Sequence, residues 1–209
     1  MSNKLTWGSH VPLNKSLLNT FEITGVTEFG IGHNSTPVFA QHANKVIAVE
    51  SDSKWLETMS KEYPATGKLT YIHHKTKYSR TTRPWDIKEQ DAIEYKQFLN
   101  TINFDNTNML FIDCYSGYRL HTFNHIHHKF DFITMHDVQN PGITNHWGGK
   151  TPTYDKDRYT LYVDKTYSVW TWLLIDNKHK DNIGKLIDNH DKFAKQYSDS
   201  KGRLIIEER

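Results

Sequence analysis

Two glycines and two glutamates in the first quarter of the chain form a pattern that could bind a nucleotide-like ligand. Gly30 and Gly32 lie in the segment 28–36, between an apolar run and a helix-like one, which is typical of a strand-to-helix turn. Glycines there let a ligand approach the backbone where Cβ atoms would clash. Glu50 stands 20 residues after Gly30, at the end of the next apolar run, where a carboxylate can accept hydrogen bonds from ribose hydroxyls. The pattern indicates a nucleoside ligand, with an ordinary tight turn as the alternative.

The charges around this turn bear on which nucleoside ligand it takes. Dinucleotide sites have a third glycine and a helix N-terminus free for pyrophosphate, whereas Asn34 stands in place of that glycine and Glu28 precedes the turn. We expect the negative charge of Glu28 to repel phosphate and to favour a cationic ligand such as S-adenosylmethionine (SAM). An NAD-dependent oxidoreductase is the disfavoured alternative.

Two further acids and a histidine follow later apolar runs. Asp113 comes after the run 109–112, and His136 and Asp137 come after the run 130–135. Since the carboxyl ends of parallel strands open on a ligand crevice, these side chains should face one site. Asp113 and Asp137 could bind Mg²⁺ through oxygens. His136 could instead act as a metal-free general base, and a purely structural role is the third possibility for it.

The elements that position these residues follow from hydrophobic periodicity. Short apolar runs alternate with helix-like segments, which predicts an α/β sheet with crossover helices. The last two β-rich runs are joined by a short link, which indicates an antiparallel hairpin. Strands are predicted at residues 24–29, 46–49, 69–72, 109–112, 130–135, 159–163 and 168–175.

Helices are predicted between these strands from capping residues and prolines. Ser35 or Thr36 should cap the second helix, with Pro37 in its first turn, and Asp52 or Ser53 should cap the third. The predicted helices cover residues 15–21, 36–43, 54–63, 89–102 and 182–197, with another one between the fourth and fifth strands.

Composition narrows the classes of protein further. The 209 residues suit one domain over the whole chain, and the formal charge of +2 makes nucleic acid an improbable partner on electrostatic grounds. The single cysteine, Cys114, excludes an internal disulfide. No apolar stretch approaches the ~20 residues of a membrane helix, and we expect a cytoplasmic protein with no membrane partner. Its oligomeric state is open.

The motifs together resemble a known fold. Glu28-x-Gly30-x-Gly32 with Ser35-Thr36, Glu50, Asp113 and the terminal hairpin is similar to the class I SAM-dependent methyltransferases. A narrower resemblance is to a poorly characterised methyltransferase-like family with no assigned substrate. It is carried by Thr6-Trp-Gly-Ser-His10, Ser35-Thr-Pro37, Asp52-Ser-Lys-Trp55, Phe111-Ile-Asp113, Arg119 and His136-Asp137.

The resemblance implies a Rossmann-like three-layer αβα sandwich, with a mostly parallel sheet of seven strands and a C-terminal antiparallel hairpin. It also implies transfer of a methyl group from SAM to an oxygen or nitrogen nucleophile of an unidentified, small-molecule or other, substrate. His136 and Asp137 would activate the nucleophile. The cofactor contacts would come from Glu28, Gly30, Gly32, Ser35, Thr36, Glu50, Trp55 and Asp113. The alternative from another class is a non-catalytic protein that binds SAM or another nucleoside.

Several other side chains could contact the substrate or the cofactor. The N-terminal segment with Trp7, Ser9 and His10 could fold over the ligand as a lid. Trp55 could stack on adenine or belong to the core. Arg119 could meet an anionic substrate, or it could pair with Asp113.

Two remaining features are expected to be structural. Strand alternation points Cys114 away from the crevice, so no thiol nucleophile is expected. The basic stretch with Lys75, Lys77, Arg80 and Arg83 is more typical of a solvated loop than of a binding surface.

Overall fold

The strands and helices form where the apolar runs predict them, with shifted ends. The computed structural model describes residues 8–75, 87–138, 147, 151–167 and 169–196. The strands are β1 Val26–Phe29, β2 Val46–Glu50, β3 Leu69–His73, β4 Met109–Ile112, β5 Phe132–His136, β6 Tyr159–Asp164 and β7 Thr171–Asp176. The helices are α1 Val11–Thr20, α2 Thr36–His42, α3 Ser53–Glu62, α4 Glu89–Thr101, α5 Ser116–Ile126 and α6 Ile183–Ala194. The basic stretch beyond Lys75 lies outside the described residues.

The strands assemble into one seven-stranded sheet in the order β3-β2-β1-β4-β5-β7-β6. Strands β1 to β5 are parallel, while β7 is antiparallel to both β5 and β6. The predicted mixed sheet and terminal hairpin are therefore confirmed. Five carboxyl ends of parallel strands meet at one edge, which is called the active edge below.

Helices cover both faces of the sheet, because the strands are apolar on both sides. Leu17 of α1, Phe39 of α2, Met59 of α3 and Leu186 of α6 pack in one core cluster. Leu99 of α4 and Phe123 of α5 pack in a second cluster, and the strands contribute side chains to both. This arrangement confirms the three-layer αβα fold. Among the described residues, no helix is both long and apolar enough to cross a membrane.

Some predicted element ends were wrong for local reasons. Helix α1 begins at Val11, earlier than predicted, because Pro12 is tolerated in a first turn and Leu13 is buried. Asp52 caps α3 through the backbone N–H groups of Lys54 and Trp55, as predicted. Ser35 is the N-cap residue of α2, as predicted, but its side chain makes no capping hydrogen bond.

The turn after β1 depends on Gly30. Its φ of +88° is a conformation that L side chains rarely adopt. A Cβ at this position would lie 2.4 Å from the carbonyl oxygen of Asp113 and 2.6 Å from Cα of Cys114. The missing side chain thus lets the turn pack directly on the chain that leaves β4.

Glu28 holds the same turn from inside the protein. The Thr36 hydroxyl donates to Glu28 Oε2 at 2.8 Å and accepts from the Gly32 N–H at 3.1 Å. Burial, together with the smaller influence of Asp113 and Glu50, raises the pKa of Glu28 to about 8, and hydrogen bonds from neighbouring hydroxyls only partly oppose this. The carboxyl is therefore mostly protonated at pH 7. The prediction that its charge repels phosphate was wrong, because it assumed an ionised side chain.

Replacing Gly30 by alanine should destabilise the fold strongly. The new Cβ would meet backbone atoms that cannot swing away, in a conformation that itself costs roughly 1–2 kcal/mol for an L residue. We expect Gly30→Ala to lower the free energy of unfolding by at least about 2 kcal/mol in urea titrations. Gly67→Ala is the control, since its Cβ would meet nothing within 4 Å. Equal stability of the two variants would contradict this packing.

Glu28→Gln should change how stability depends on pH. A carboxyl whose pKa is higher in the folded protein keeps its proton there after the unfolded chain has lost it. The wild type should therefore lose stability as pH rises from about 4.5 to about 8, by up to about 1.4 kcal/mol per pH unit. The glutamine variant has no carboxyl to titrate at this position. Its free energy of unfolding, measured in urea titrations, should therefore rise relative to that of the wild type as the pH increases across this window. Parallel pH profiles for the two proteins would refute the assigned burial.

Candidate active site

The predicted site residues come from the ends of four parallel strands at the active edge. Gly30 follows β1, Glu50 ends β2, Asp113 follows β4 and His136 ends β5. Because β1 is hydrogen-bonded to both β2 and β4, and β4 to β5, these strand ends are adjacent. The structure thus brings together the residues that were predicted from separate motifs.

A pocket lies beside Glu50 on the face covered by α4 and α5. Its aromatic wall contains His74, Tyr95 and Tyr118, with ring centroids 4.8 Å apart for His74 and Tyr95 and 4.3 Å apart for the two tyrosines. Burial first, and His73 second, lower the pKa of His74 to about 4, so its ring is neutral at pH 7. Neutral aromatic rings of this kind suit contact with a flat, uncharged ring such as a nucleobase. The pocket is lined by Phe29, Val49, Glu50, Ser51, His74, Tyr95, Cys114, Tyr115 and Tyr118.

Cys114 faces this pocket, so the prediction that it points away from the crevice was wrong. Strand β4 ends at Ile112, and strand alternation does not continue beyond it. Burial raises the pKa of the Cys114 thiol to about 12, which keeps it protonated. The expectation that no thiol nucleophile operates here stays a prediction.

Glu50 lines the pocket, and backbone donors hold its carboxylate there. Its Oε1 accepts from the N–H groups of Ser51 at 2.5 Å and Asp52 at 2.8 Å. Its Oε2 accepts from the Ile31 N–H in the glycine turn at 3.3 Å. The carboxylate is thus fixed between the end of β2 and the turn, although its contact with ribose stays a prediction.

Gly32 differs from Gly30 in having space around it. Among the described residues, a Cβ at Gly32 would meet only Ser35 Oγ, at 3.6 Å, which is an ordinary contact. Packing within the protein therefore does not require glycine here. A ligand that approaches this backbone would require it.

Trp55 supports the turn from the opposite face of the sheet. Its indole N–H donates to the Ile31 carbonyl at 2.8 Å, and its ring packs on the core cluster beneath α3. It does not line the pocket beside Glu50, where the aromatic wall is built from other residues. Sequence reasoning missed that wall because Tyr95 and Tyr118 lie on helices and belong to no motif.

Arg119 binds both acids of the site. Its guanidinium donates to Asp113 Oδ1 at 2.7 Å, to Asp137 Oδ2 at 3.0 Å and to the Cys114 carbonyl at 2.7 Å. Only 6% of its side chain is exposed. The pairing with Asp113 was one of the two predicted alternatives, and in this structure Arg119 is a positioning residue. Four of its N–H groups bond within the protein, and its predicted substrate contact stays a prediction.

The acids differ in their surroundings. Burial alone would raise the pKa of Asp113, but the hydrogen bond with His136 and the charge of Arg119 outweigh it and hold that pKa below its usual range. Asp137 has a φ of +59°, an uncommon conformation that aspartate tolerates better than most residues. Its bond to Arg119 keeps the carboxylate beside the end of β5.

His136 connects the acids to the N-terminal segment. Its Nδ1 lies 3.2 Å from Asp113 Oδ2 and 3.6 Å from Asp137 Oδ1. Its Nε2 lies 2.8 Å from the Ser9 hydroxyl oxygen. A carboxylate on one nitrogen and a hydroxyl on the other is an arrangement that can move a proton from that hydroxyl position.

The N-terminal segment covers this part of the active edge. Ser9 and His10 are buried, and the His10 ring lies 4.7 Å from the His136 ring and 4.9 Å from Phe111. Burial, with a smaller influence of His136, lowers the pKa of His10 to about 3, so the ring is uncharged. Trp7 lies outside the described residues, so its predicted substrate contact stays a prediction.

The described residues do not fit the predicted Mg²⁺ site at Asp113 and Asp137. Both carboxylates are bound to the same guanidinium, and the metal-compatible group found among these residues contains His10, Asp113 and His136 without Asp137. Mg²⁺ prefers oxygen ligands, whereas two of these three donors are imidazoles. No step of the proposed reaction therefore involves magnesium.

Comparison of the chain with known proteins identifies the fold. No family model matches the chain, and neither does any curated protein. An O-methyltransferase from Bacillus cereus, solved in complex with SAH, matches with a TM-score of 0.57 at 12% identity, over 83% of this chain and 82% of that one. An rRNA methylase from Streptococcus thermophilus matches with a TM-score of 0.52 at 10% identity, over 83% and 99% of the two chains. At this identity the likeness is one of fold, and this chain has the fold of the class I SAM-dependent methyltransferases.

Proposed function

We propose that this protein transfers a methyl group from SAM to a nucleophile of a substrate that remains to be identified. The observation that carries the proposal is Glu50, a carboxylate that lines an aromatic-walled pocket and bonds to the glycine turn. Carboxylates in this position suit ribose hydroxyls, and the neutral rings of the wall suit adenine. The cavity itself, about 10 Å³, holds little more than one water molecule, so an adenosyl ligand would have to widen it on binding.

The choice of SAM over NAD no longer depends on Glu28, because that side chain is mostly neutral at pH 7. Support comes instead from the antiparallel β7 inserted between β5 and β6, a topology that belongs to the methyltransferase fold. Support also comes from the acids and histidine placed next to the pocket, since Asp113 is followed directly by the pocket residue Cys114.

The residues near the end of β5 would handle the proton of the methyl acceptor. SAM, when bound, supplies a methyl group attached to a sulfonium centre. After methyl transfer, that centre leaves as a neutral thioether. His136 would accept the acceptor's proton on Nε2, because Asp113 and Asp137 favour a proton on Nδ1. Arg119 would keep both carboxylates in place for this proton transfer. The acceptor would take the position beside Nε2 that the Ser9 hydroxyl occupies.

Ligand binding should depend on Glu50. In calorimetric melts with SAM, SAH and NAD in parallel, we expect stabilisation by the two adenosyl ligands, about 2.7 kcal/mol at ~100 times the dissociation constant. Glu50→Ala should abolish that stabilisation. Glu57→Ala should retain it, because Glu57 is exposed on α3 and pairs only with Lys61 in the described structure. His136→Ala should also retain it. Stabilisation by NAD alone, or unchanged SAH binding by Glu50→Ala, would refute the proposal.

Gly32→Ala should separate ligand binding from stability. The added methyl group has room in the protein, so the free energy of unfolding should stay within about 0.5 kcal/mol of wild type. The same methyl group would stand where the ligand approaches the backbone, so we expect at least tenfold weaker SAH binding in titration calorimetry. Unchanged affinity would mean that the ligand does not approach Gly32.

A further inference from the structure

We propose that His10, Asp113 and His136 bind a divalent transition metal ion of the zinc, cobalt and nickel class. One candidate ligand atom from each residue, two imidazole nitrogens and one carboxylate oxygen, lies within 4.8 Å of the others. Imidazole-rich sets of this kind suit these ions rather than Mg²⁺. The metal site shares Asp113 and His136 with the proposed proton transfer, but it uses no residue that lines the pocket, so metal binding can be measured without methyl transfer.

The spacing of Asp113 and His136 already matches that of two ligands on one ion. Bonds of about 2.0–2.1 Å at tetrahedral or octahedral angles place neighbouring ligand atoms roughly 3 Å apart. Asp113 Oδ2 and His136 Nδ1 are 3.2 Å apart. A metal ion between them would replace the proton that they share, with little movement of either side chain.

His10 supplies the second, independent observation. Both of its ring nitrogens are buried and have no hydrogen-bond partner among the described residues, and the residue is only 3% exposed. A buried polar atom without a partner costs about 1–3 kcal/mol. Its ring lies against the His136 ring, so a shift of about an ångström or more toward Asp113 would give one nitrogen a metal partner.

In Asp113 and His136, the side-chain atom that would not bind the metal has a hydrogen-bond partner of its own. Asp113 Oδ1 accepts from Arg119 at 2.7 Å, and His136 Nε2 lies 2.8 Å from the Ser9 hydroxyl. Such outer partners orient the ligands of a metal. Two carboxylates, counting Asp137, face one guanidinium, so the cluster has a net negative charge that a dication would offset.

Three protein ligands leave a coordination position for another molecule, as in catalytic zinc sites. A hydroxyl or thiol bound there would lose its proton more readily. With the metal on Nδ1, His136 would carry its proton on Nε2, so the metal would replace His136 as the group that promotes loss of the acceptor's proton. This consequence rests on the proposed methyl transfer, because it concerns the acceptor, whereas the binding of the metal does not.

Metal binding can be measured directly on the full chain. We expect Co²⁺ to bind with one equivalent per chain and to produce visible d–d absorption bands, which Zn²⁺ should abolish by displacement and excess Mg²⁺ should not. His10→Ala should weaken Co²⁺ binding at least tenfold. His10→Phe keeps a ring in the same buried space but has no nitrogen, and it should weaken Co²⁺ binding equally. This second variant keeps the test valid if His10→Ala fails to fold. His128→Ala is the control, since His128 is exposed.

The outcomes separate this proposal from the previous one. Failure of the wild type to bind Co²⁺ or Zn²⁺, or equal binding by folded His10→Phe, would overturn the metal site. Loss of binding in His128→Ala would show that the metal binds on the surface, and would overturn it too. SAH binding, measured on the same samples, should be retained by the His10 variants, so the adenosyl pocket and the metal site can fail separately.

Discussion

The close approach of two strand ends at Gly30 is the contact on which the active edge depends. With no side chain and a positive φ, this residue lets the turn after β1 rest on the backbone of Asp113 and Cys114. Asp113 belongs to the charged cluster, and Cys114 belongs to the pocket. A single backbone contact thus sets the positions of the glycine turn, the pocket and the acids relative to one another.

The two sides of this contact differ in charge. On the pocket side, burial keeps His74 neutral and Cys114 protonated, and the wall is aromatic. On the other side, Asp113 and Asp137 share Arg119, and a charged cluster is tolerated there because each carboxylate has a partner. This division suits a reaction in which an adenosyl group is held by apolar contacts while a proton moves between polar groups.

The N-terminal segment completes the charged side. Helix α1 begins directly after Ser9 and His10. Its leucines are buried in the core, and the helix packs against α6. Packing of this helix therefore carries both polar side chains onto His136. Ser9 thus contacts His136, which lies more than a hundred positions later in the chain, because of this helix packing. No local sequence pattern indicates the contact.

The sequence by itself determined the strands, their order along the chain and the residues at their carboxyl ends, because apolar runs and turn residues are local properties. Glu50, Asp113 and His136 were predicted on that basis, and the structure places them at one edge. The resemblance of the motifs led to the same αβα fold. Element ends shifted where tertiary packing extended a helix, as at Val11.

Only the tertiary structure decided which side chains meet and how they ionise. Glu28 is neutral because it is completely buried, which a sequence motif does not reveal. The argument from its negative charge failed for that reason. Trp55 turned to the opposite face while tyrosines from two helices formed the pocket wall, because the face that a helix presents is set by its packing partner. Likewise, Arg119 and His10 acquired their roles from neighbours distant in the chain. Local periodicity shows that a side chain is buried, whereas its partner and its protonation depend on the whole fold.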